Sequence, residues 1–329
     1  MHIKRRREWE IPEREATPEH VFLNRRTILK AAGFLGAAAL IGCGPKTEEN
    51  GAAVAQETPP TDDPSAHLYP AKRNAAYALD RDITPIEITS HYNNYYEFGS
   101  DKSIYDDAQA LRTRPWTVTV DGMVEAPFQL AIDDLIAKFP LEERLYRHRC
   151  VEAWAMAVPW TGFALKDFVA ACKPLSSATY VRFETFMDAG MAPGQNEFFY
   201  PWPYVEGLTM AEATNELAFM VTGIYGKPLL NQFGAPLRLA TPWKYGFKSI
   251  KAITKIELVA ERPSTLWSSV GPGEYGFYSN VNPNHPHPRW PQSSERRIGE
   301  FSRRPTLMFN GYAEQVASLY EGMDLDVNY

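Results

Sequence analysis

Alternating apolar and polar residues predict two strands well separated along the chain. Trp116–Val120 (WTVTV) and Thr179–Phe186 (TYVRFETF) have the two-residue period of a strand with one buried face. The first strand runs into Asp121-Gly122, a pair that favours a tight turn. Shorter apolar runs predict further strands at Leu237–Leu239, Ile250–Ile253 and Lys255–Val259.

Helical patterns are few and short. One helix is expected at Asp133–Phe139, where Pro140 ends it, and another at Leu165–Ala171. Thr209 and Glu212 have the spacing of a capping box that opens a third helix. Strands and short helices are mixed without a regular β-α-β period, so the sequence predicts an α+β fold with mixed sheets.

The N-terminal residues have the order of an export signal. Paired arginines in Asn24–Lys30 (NRRTILK) precede the short apolar run Ala31–Gly42, which is typical of twin-arginine export to the periplasm by the Tat translocase. Two processing sites stay open: a lipobox that would leave a lipidated Cys43, and cleavage after Ala55. We therefore expect a signal and tether at 1–55, an N-terminal extension at 56–84 and one catalytic domain at 85–329.

Charge and composition exclude some classes of protein. The 329 residues are 44% hydrophobic, which is enough for a sizeable core. The net charge is −6, and the first fifty residues hold nine Lys and Arg against seven Asp and Glu, which leaves −8 for the rest. An acidic body argues against a nucleic-acid partner. The chain has no GxGxxG turn, Walker loop, HExxH or paired CxxC, so nicotinamide, nucleotide-hydrolysing and zinc-protease activities lack support.

Cys150 is the residue with the most suggestive surroundings. Arg147 and Arg149 flank it, and cations favour the thiolate, the form that binds soft metals. A buried structural cysteine is the alternative. A bridge to Cys172 is not expected, because it would consume this thiol. Glu152 is a candidate either to orient the thiol or relay protons, or to form a structural ion pair with Arg149.

The segment Pro263–Pro305 is loop-rich and holds His285 and His287 among prolines. Two histidines this close can bind a metal, but no cysteine or carboxylate stands at ligand spacing. Surface cover is the preferred interpretation.

Several longer motifs together resemble a known family, the catalytic subunits of periplasmic methionine sulfoxide reductases, which have the sulfite-oxidase-type molybdopterin fold. The resemblance covers nearly all of 85–329 and is carried by TSHYNNYYEFG, YRHRCVEAW, VPWTGF, GAPLRL, PWKYGFKSIK and GEYGFYSNVNP. It implies that Cys150 is the protein ligand of molybdenum, with one Mo-molybdopterin and one molybdenum per chain. The cofactor-binding residues implied by the matching motifs are Asn93, Tyr96, Glu97, Cys150, Thr185, Arg238, Ser249, Ile250 and Lys251.

These residues suit a pterin that ends in a phosphate. Arg238 and Lys251 are charge-assisted donors, and the backbone amides of Ser249 and Ile250 are candidates for a phosphate nest. The chain departs from the family at Phe233, where the family has Asn, so that contact is either lost or made by Asn231 or Gln232.

The resemblance also implies a function. The expected reaction is the reduction of methionine sulfoxide residues in periplasmic proteins by oxygen-atom transfer to molybdenum, a repair of oxidative damage. Electrons would come from the quinone pool through a haem-containing integral membrane subunit. A sulfite-oxidase-like enzyme or a reductase of small S- or N-oxides is the alternative. No C-terminal immunoglobulin-like dimerisation domain is expected, which favours a monomer.

Overall fold

Two mixed β-sheets form the framework of residues 63–329, the part of the chain that the computed structural model describes. The twin-arginine segment, Cys43 and the cleavage site after Ala55 lie outside the described residues. The first sheet has the strand order β2-β1-β10-β5-β6, with β1 parallel to β10 and the other neighbours antiparallel. Its strands are β1 (Thr117–Gly122), β2 (Phe128–Ala131), β5 (Tyr180–Thr185), β6 (Val205–Thr209) and β10 (Ile253–Val259).

The second sheet is built around one long central strand. Its main path is β12-β11-β4-β7-β8, while β3 pairs with β4 and β9 pairs with β7. The strands are β3 (Glu142–Arg149), β4 (Trp154–Ala164), β7 (Phe219–Ile224), β8 (Lys227–Pro228), β9 (Arg238–Ala240), β11 (Ser294–Arg297) and β12 (Arg303–Pro305).

Strand β4 is the centre of the core. All eleven of its residues are buried, and β3 lies antiparallel along it from Arg149 to Glu142. Because both faces of β4 meet the interior, its sequence is apolar apart from Thr161 and Gly162 and lacks the alternation that marks a half-exposed strand. The six residues of β7 are buried in the same way. Because β4 and β7 lack this alternation, the sequence pattern does not predict either strand.

The α-helices of the described region are short, between four and seven residues long. The capping box is confirmed: the Glu212 amide donates to Thr209 Oγ1 at 3.2 Å, and the Thr209 amide donates to Glu212 Oε2 at 2.9 Å. The helices are α1 (Ile86–Thr89), α2 (Tyr105–Ala108), α3 (Ile132–Lys138), α4 (Leu165–Ala171), α5 (Met210–Ala213), α6 (Leu266–Val270) and α7 (Ala313–Val316).

Most of the predicted elements are confirmed. The two alternating segments are β1 and β5, the two helical patterns are α3 and α4, and the α+β class holds. The strand predicted at Ile250–Ile253 is wrong, because Ala252 has a φ of +46° and the extended backbone begins only at Ile253. The turn expected at Asp121-Gly122 is also wrong in place, since β1 continues through Gly122.

Two further findings concern the described residues alone. Cys150 and Cys172 are both unbridged, as expected. Within 63–329, none of the helices has the length and apolar character needed to cross a bilayer.

The packing around β4 makes Phe163 a sensitive position. Its ring stacks on Phe139 with centroids 4.6 Å apart and is buried. We expect Phe163→Ala to lower the free energy of unfolding by about 3–5 kcal/mol, measured by denaturant titration, because a large cavity would remain. Leu175→Ala, at an exposed position, should change it by less than about 0.5 kcal/mol. Equal effects of the two substitutions would contradict this account of the core.

Candidate functional site

A cavity of about 590 Å³ brings most of the predicted site residues together. Eight of the nine line it, and only Thr185 does not. The Thr185 hydroxyl instead donates to the Ala252 carbonyl at 3.0 Å, behind the cavity wall. The eight are Asn93, Tyr96, Glu97, Cys150, Arg238, Ser249, Ile250 and Lys251.

Cys150 stands in the tight connection between β3 and β4. Its amide donates to the Trp154 carbonyl at 2.9 Å, and the Ala153 amide donates back to the Cys150 carbonyl at 3.0 Å. Ala153 closes this turn with a φ of +64°. The backbone therefore fixes the direction in which the thiol enters the cavity.

The two arginines that flank Cys150 point away from its thiol. Arg149 is fully buried and donates to Glu295 at 3.0 Å and to Gln292 at 2.8 Å. Arg147 donates to Asp80 at 2.8 Å. Neighbouring residues of a strand face opposite sides, so Arg147 and Arg149 share the side opposite to the thiol.

The expected thiolate is wrong for the protein alone, although Arg149 acts in that direction. Burial, with the nearby charge of Glu152, raises the pKa of the Cys150 thiol to about 12 and outweighs the lowering by Lys102 and Arg149. A metal that binds this sulfur has to displace its proton.

Glu152 lies beside the thiol and is held by three donors. Its Oε2 is 3.6 Å from Cys150 Sγ. It accepts hydrogen bonds from Lys102 Nζ at 2.9 Å, Trp154 Nε1 at 2.9 Å and Asn94 Nδ2 at 3.2 Å. Burial opposes ionisation of this carboxyl group, but the donors outweigh it and lower the pKa. Of the two interpretations, the ion pair with Arg149 is wrong.

One end of the cavity is cationic. The Arg238 guanidinium donates to the carbonyls of Phe233 at 2.8 Å and Ser249 at 3.0 Å. Lys251 Nζ donates to the Asn94 carbonyl. Burial lowers the pKa of Lys251, and the neighbouring Arg238 lowers it further, while burial raises the pKa of Glu97 close by.

His148 is a neutral group in the same wall. Burial, followed by the positive charges of Arg238 and Lys251, lowers the pKa of this imidazole to about 3. It lines the cavity together with Cys150, as expected for residues two apart on a strand.

The donor set fits a phosphorylated, sulfur-ligated cofactor. Two buried atoms that line the cavity, Asn94 Oδ1 and Tyr95 OH, have no hydrogen-bond partner in the described chain, and such atoms require a polar ligand. The Lys251 side chain packs directly against Gly234. Gly234 has a φ of +99°, and a Cβ there would come within 2.4 Å of Lys251 Cγ, so this position requires glycine.

One detail of the phosphate prediction is wrong. The Ser249 backbone amide donates to the Gly246 carbonyl at 3.1 Å, so it is not available for an anion nest. Of the two alternatives at Phe233, loss of the contact is favoured, because neither Asn231 nor Gln232 lines the cavity. The Asn231 side-chain Nδ2 donates to the Leu111 carbonyl at 2.9 Å instead, and Phe233 itself lines the wall.

Sequence reasoning missed several residues of the site. In the NNYYE motif it selected Asn93, whose side chain donates to backbone carbonyls, whereas Asn94 Nδ2 lies 3.5 Å from Cys150 Sγ. Lys102 lies outside the quoted motifs, and His148 lies within YRHRCVEAW but carried no signal of its own. The cavity mouth is aromatic, with Phe199, Tyr200, Trp267, Tyr275 and Trp290.

The histidines at 285 and 287 do not form a metal site. His287 stacks on Trp290 with centroids 3.8 Å apart. Among residues 63–329, no group of three or more His, Cys, Asp or Glu side chains is arranged to hold a metal ion.

A buried thiol facing a cationic, hydrogen-bonding cavity in this α+β framework suits a molybdopterin oxidoreductase. The family model for the oxidoreductase molybdopterin binding domain matches residues 106–267. The sulfane dehydrogenase SoxCD from Paracoccus pantotrophus matches over 56% of this chain and 46% of that chain, with a TM-score of 0.42 and 15% identity.

The particular family follows from sequence identity. The chain is 47% identical over 323 residues to the protein-methionine-sulfoxide reductase catalytic subunit MsrP of Burkholderia mallei (strain ATCC 23344), covering 96% of this chain and 95% of the relative. The chain therefore belongs to the family of protein-methionine-sulfoxide reductase catalytic subunits, and its cofactor is Mo-molybdopterin.

The role of Arg149 can be tested separately from the cofactor. Arg149→Leu leaves the Glu295 carboxylate buried without its 3.0 Å partner, so we expect a loss of about 3–5 kcal/mol in unfolding free energy. The matched control is Arg73→Leu, since Arg73 is 52% exposed in its pair with Glu143 and should contribute less than about 1 kcal/mol. A loss at Arg149 no larger than at Arg73 would show that the buried pair is not structural.

Proposed function

We propose that this protein reduces methionine sulfoxide residues of periplasmic proteins to methionine. The observation that carries the proposal is the Cys150 thiol at the wall of a 590 Å³ cavity, in a chain 47% identical to a protein-methionine-sulfoxide reductase. When bound, the molybdenum cofactor supplies oxygen-atom transfer, by which a sulfoxide, two electrons and two protons give a thioether and water.

Some residues of the cavity would bind the cofactor, and others would hold those residues in position. Cys150 would hold one molybdenum per chain through its sulfur. Lys251 and Arg238 would face the phosphate of the pterin, and Asn94 and Tyr95 would use the polar atoms that lack partners in the described chain. Asn93, Tyr96, Glu97 and Ile250 would complete the wall, Ser249 would contribute its hydroxyl, and Thr185 would support Glu97 from behind.

Glu152 would set the charge next to the reacting sulfoxide. Its carboxylate is ionised through Lys102 and Trp154 and lies 3.6 Å from the thiol sulfur. In that position it orients the ligand and is placed to pass protons from the cavity mouth.

The mouth is better suited to a thioether side chain than to an anion such as sulfite. The only Arg and Lys residues among the described cavity-lining residues are Arg238, Lys251 and Arg289. Arg238 and Lys251 belong to the end of the cavity assigned to the pterin phosphate, and Arg289 pairs with Glu274 at 2.7 Å. Aromatic rings, which bind apolar methylenes, dominate the remainder.

The cellular setting belongs to the same proposal. The chain would be exported by the Tat translocase to the periplasm, with its catalytic domain at 85–329. A haem-containing membrane subunit would deliver electrons from the quinone pool. Repair of oxidised periplasmic proteins would be the result.

Replacing the thiol tests the centre of the proposal. Cys150→Ser should abolish reduction of methionine sulfoxide and remove or alter the bound molybdenum, because a hydroxyl is a poor ligand for a soft metal site. Elemental analysis and turnover with a reduced dye as electron donor are the measurements, with Cys172→Ser as the matched control. Unchanged turnover in Cys150→Ser would refute the proposal.

Lys251 provides a test of cofactor binding. Lys251→Met should lower the molybdenum content of purified protein several-fold, since the cofactor phosphate loses a charge-assisted donor. The control is Lys255→Met, four residues along the chain, where the side chain pairs with Asp121 and does not line the cavity. Full molybdenum content in Lys251→Met would place the phosphate elsewhere.

A further inference from the structure

The connection between β5 and β6 carries two phenylalanines on the protein surface. Phe198 is 98% exposed and Phe199 is 65% exposed. Single exposed apolar rings are common on proteins, whereas adjacent rings that continue into a cavity are typical of a binding surface. Phe199 also lines the cavity, so the apolar surface is continuous with the proposed active site.

The rings continue inward from this surface. Phe199 meets Tyr200 with centroids 5.6 Å apart, and Tyr200 meets Trp267 at 6.0 Å. Trp267 meets Tyr275 at 5.0 Å, and both line the cavity. An apolar path therefore leads from the protein surface to the cavity mouth.

The loop that presents these rings is fixed by the fold. Gln195 Oε1 accepts from the Asp188 amide at 2.8 Å, and Gln195 Nε2 donates to the Phe186 carbonyl at 2.8 Å. At Gly194 a Cβ would come within 2.1 Å of the Tyr96 carbonyl oxygen, so the loop packs directly on the cavity wall. A surface held in place before binding loses little entropy when a ligand arrives.

We propose that Phe198 and Phe199 form a docking site for the unfolded polypeptide that flanks an oxidised methionine. This inference rests on the proposed function. A methionine side chain is short, so when its sulfoxide reaches the cavity, the neighbouring residues of the substrate lie at the rim. Oxidised methionines from disrupted cores bring apolar neighbours, which gain by leaving water against the two rings.

An anionic membrane and a second copy of the chain match the surface of Phe198 and Phe199 less well. The segment 187–200 contains Asp188 and Glu197 but no Lys or Arg, whereas anionic membranes attract basic surfaces. The exposed area of two phenylalanines is on the order of 300 Å². A stable dimer needs about 800 Å² from each partner, so a second copy of the chain is not favoured.

Phe198→Ser is the decisive variant, because this ring does not line the cavity. The holoenzyme would be assayed with reduced benzyl viologen on two substrates: methionine-oxidised casein, which is unfolded, and free methionine sulfoxide. We expect KM for oxidised casein to rise roughly tenfold with kcat unchanged. Constants for free methionine sulfoxide should not change. Phe301→Ser, at another 98% exposed ring outside the cavity, should leave both substrates unaffected.

Three outcomes would overturn the docking site. They are an unchanged KM for oxidised casein, an equal loss on both substrates, and a loss seen only with the membrane subunit as electron donor. A wild-type holoenzyme that reduces neither substrate would instead refute the proposed function, so the two failures are distinguishable.

Discussion

The geometry of the site depends on the free-energy cost of burying charged side chains. Arg238 and Glu97 are buried close to Lys251, and isolated charges in such a place are strongly unfavourable. The protein compensates with backbone carbonyls, which accept from both cations. These bonds tie β9, the segment before β10 and the loop around Asn94 into one wall. The geometry of the cavity is therefore a consequence of satisfying these groups.

Strands and helices with one exposed face could be predicted from the sequence. Strands buried on both faces could not. Strand β5 alternates and is therefore recognisable, whereas β4 and β7 are mostly apolar, with one threonine each, and resemble any buried segment. The motifs identified eight residues that do line the cavity. They did not distinguish Asn93 from Asn94, because adjacent side chains diverge and only the tertiary structure decides which one reaches the thiol.

The two arginines next to Cys150 in the sequence do not face its thiol, and the alternation of side chains along a strand explains why. Arg147 and Arg149 alternate with His148 and Cys150, so a β-strand must direct the two pairs to opposite sides. The arginines serve the packing of the second sheet through Glu295 and Asp80. The groups that face the thiol are instead Glu152, two residues further along the chain, and Asn94 from a distant segment. Lys102, also from a distant segment, pairs with Glu152.

The cavity has two chemically different ends, which suits two different ligands. Cations and polar atoms lacking partners in the described chain lie at the end formed by Asn94, Arg238 and Lys251, where a phosphorylated cofactor gains most. The mouth offers rings, where an anion would gain little and a thioether side chain is favoured. Cys150 lines the same cavity, and the Glu152 carboxylate lies beside it, 3.6 Å from the sulfur. The buried thiol therefore lies in a cavity that can hold a charged cofactor at one end and the apolar methylenes of a sulfoxide side chain at the other.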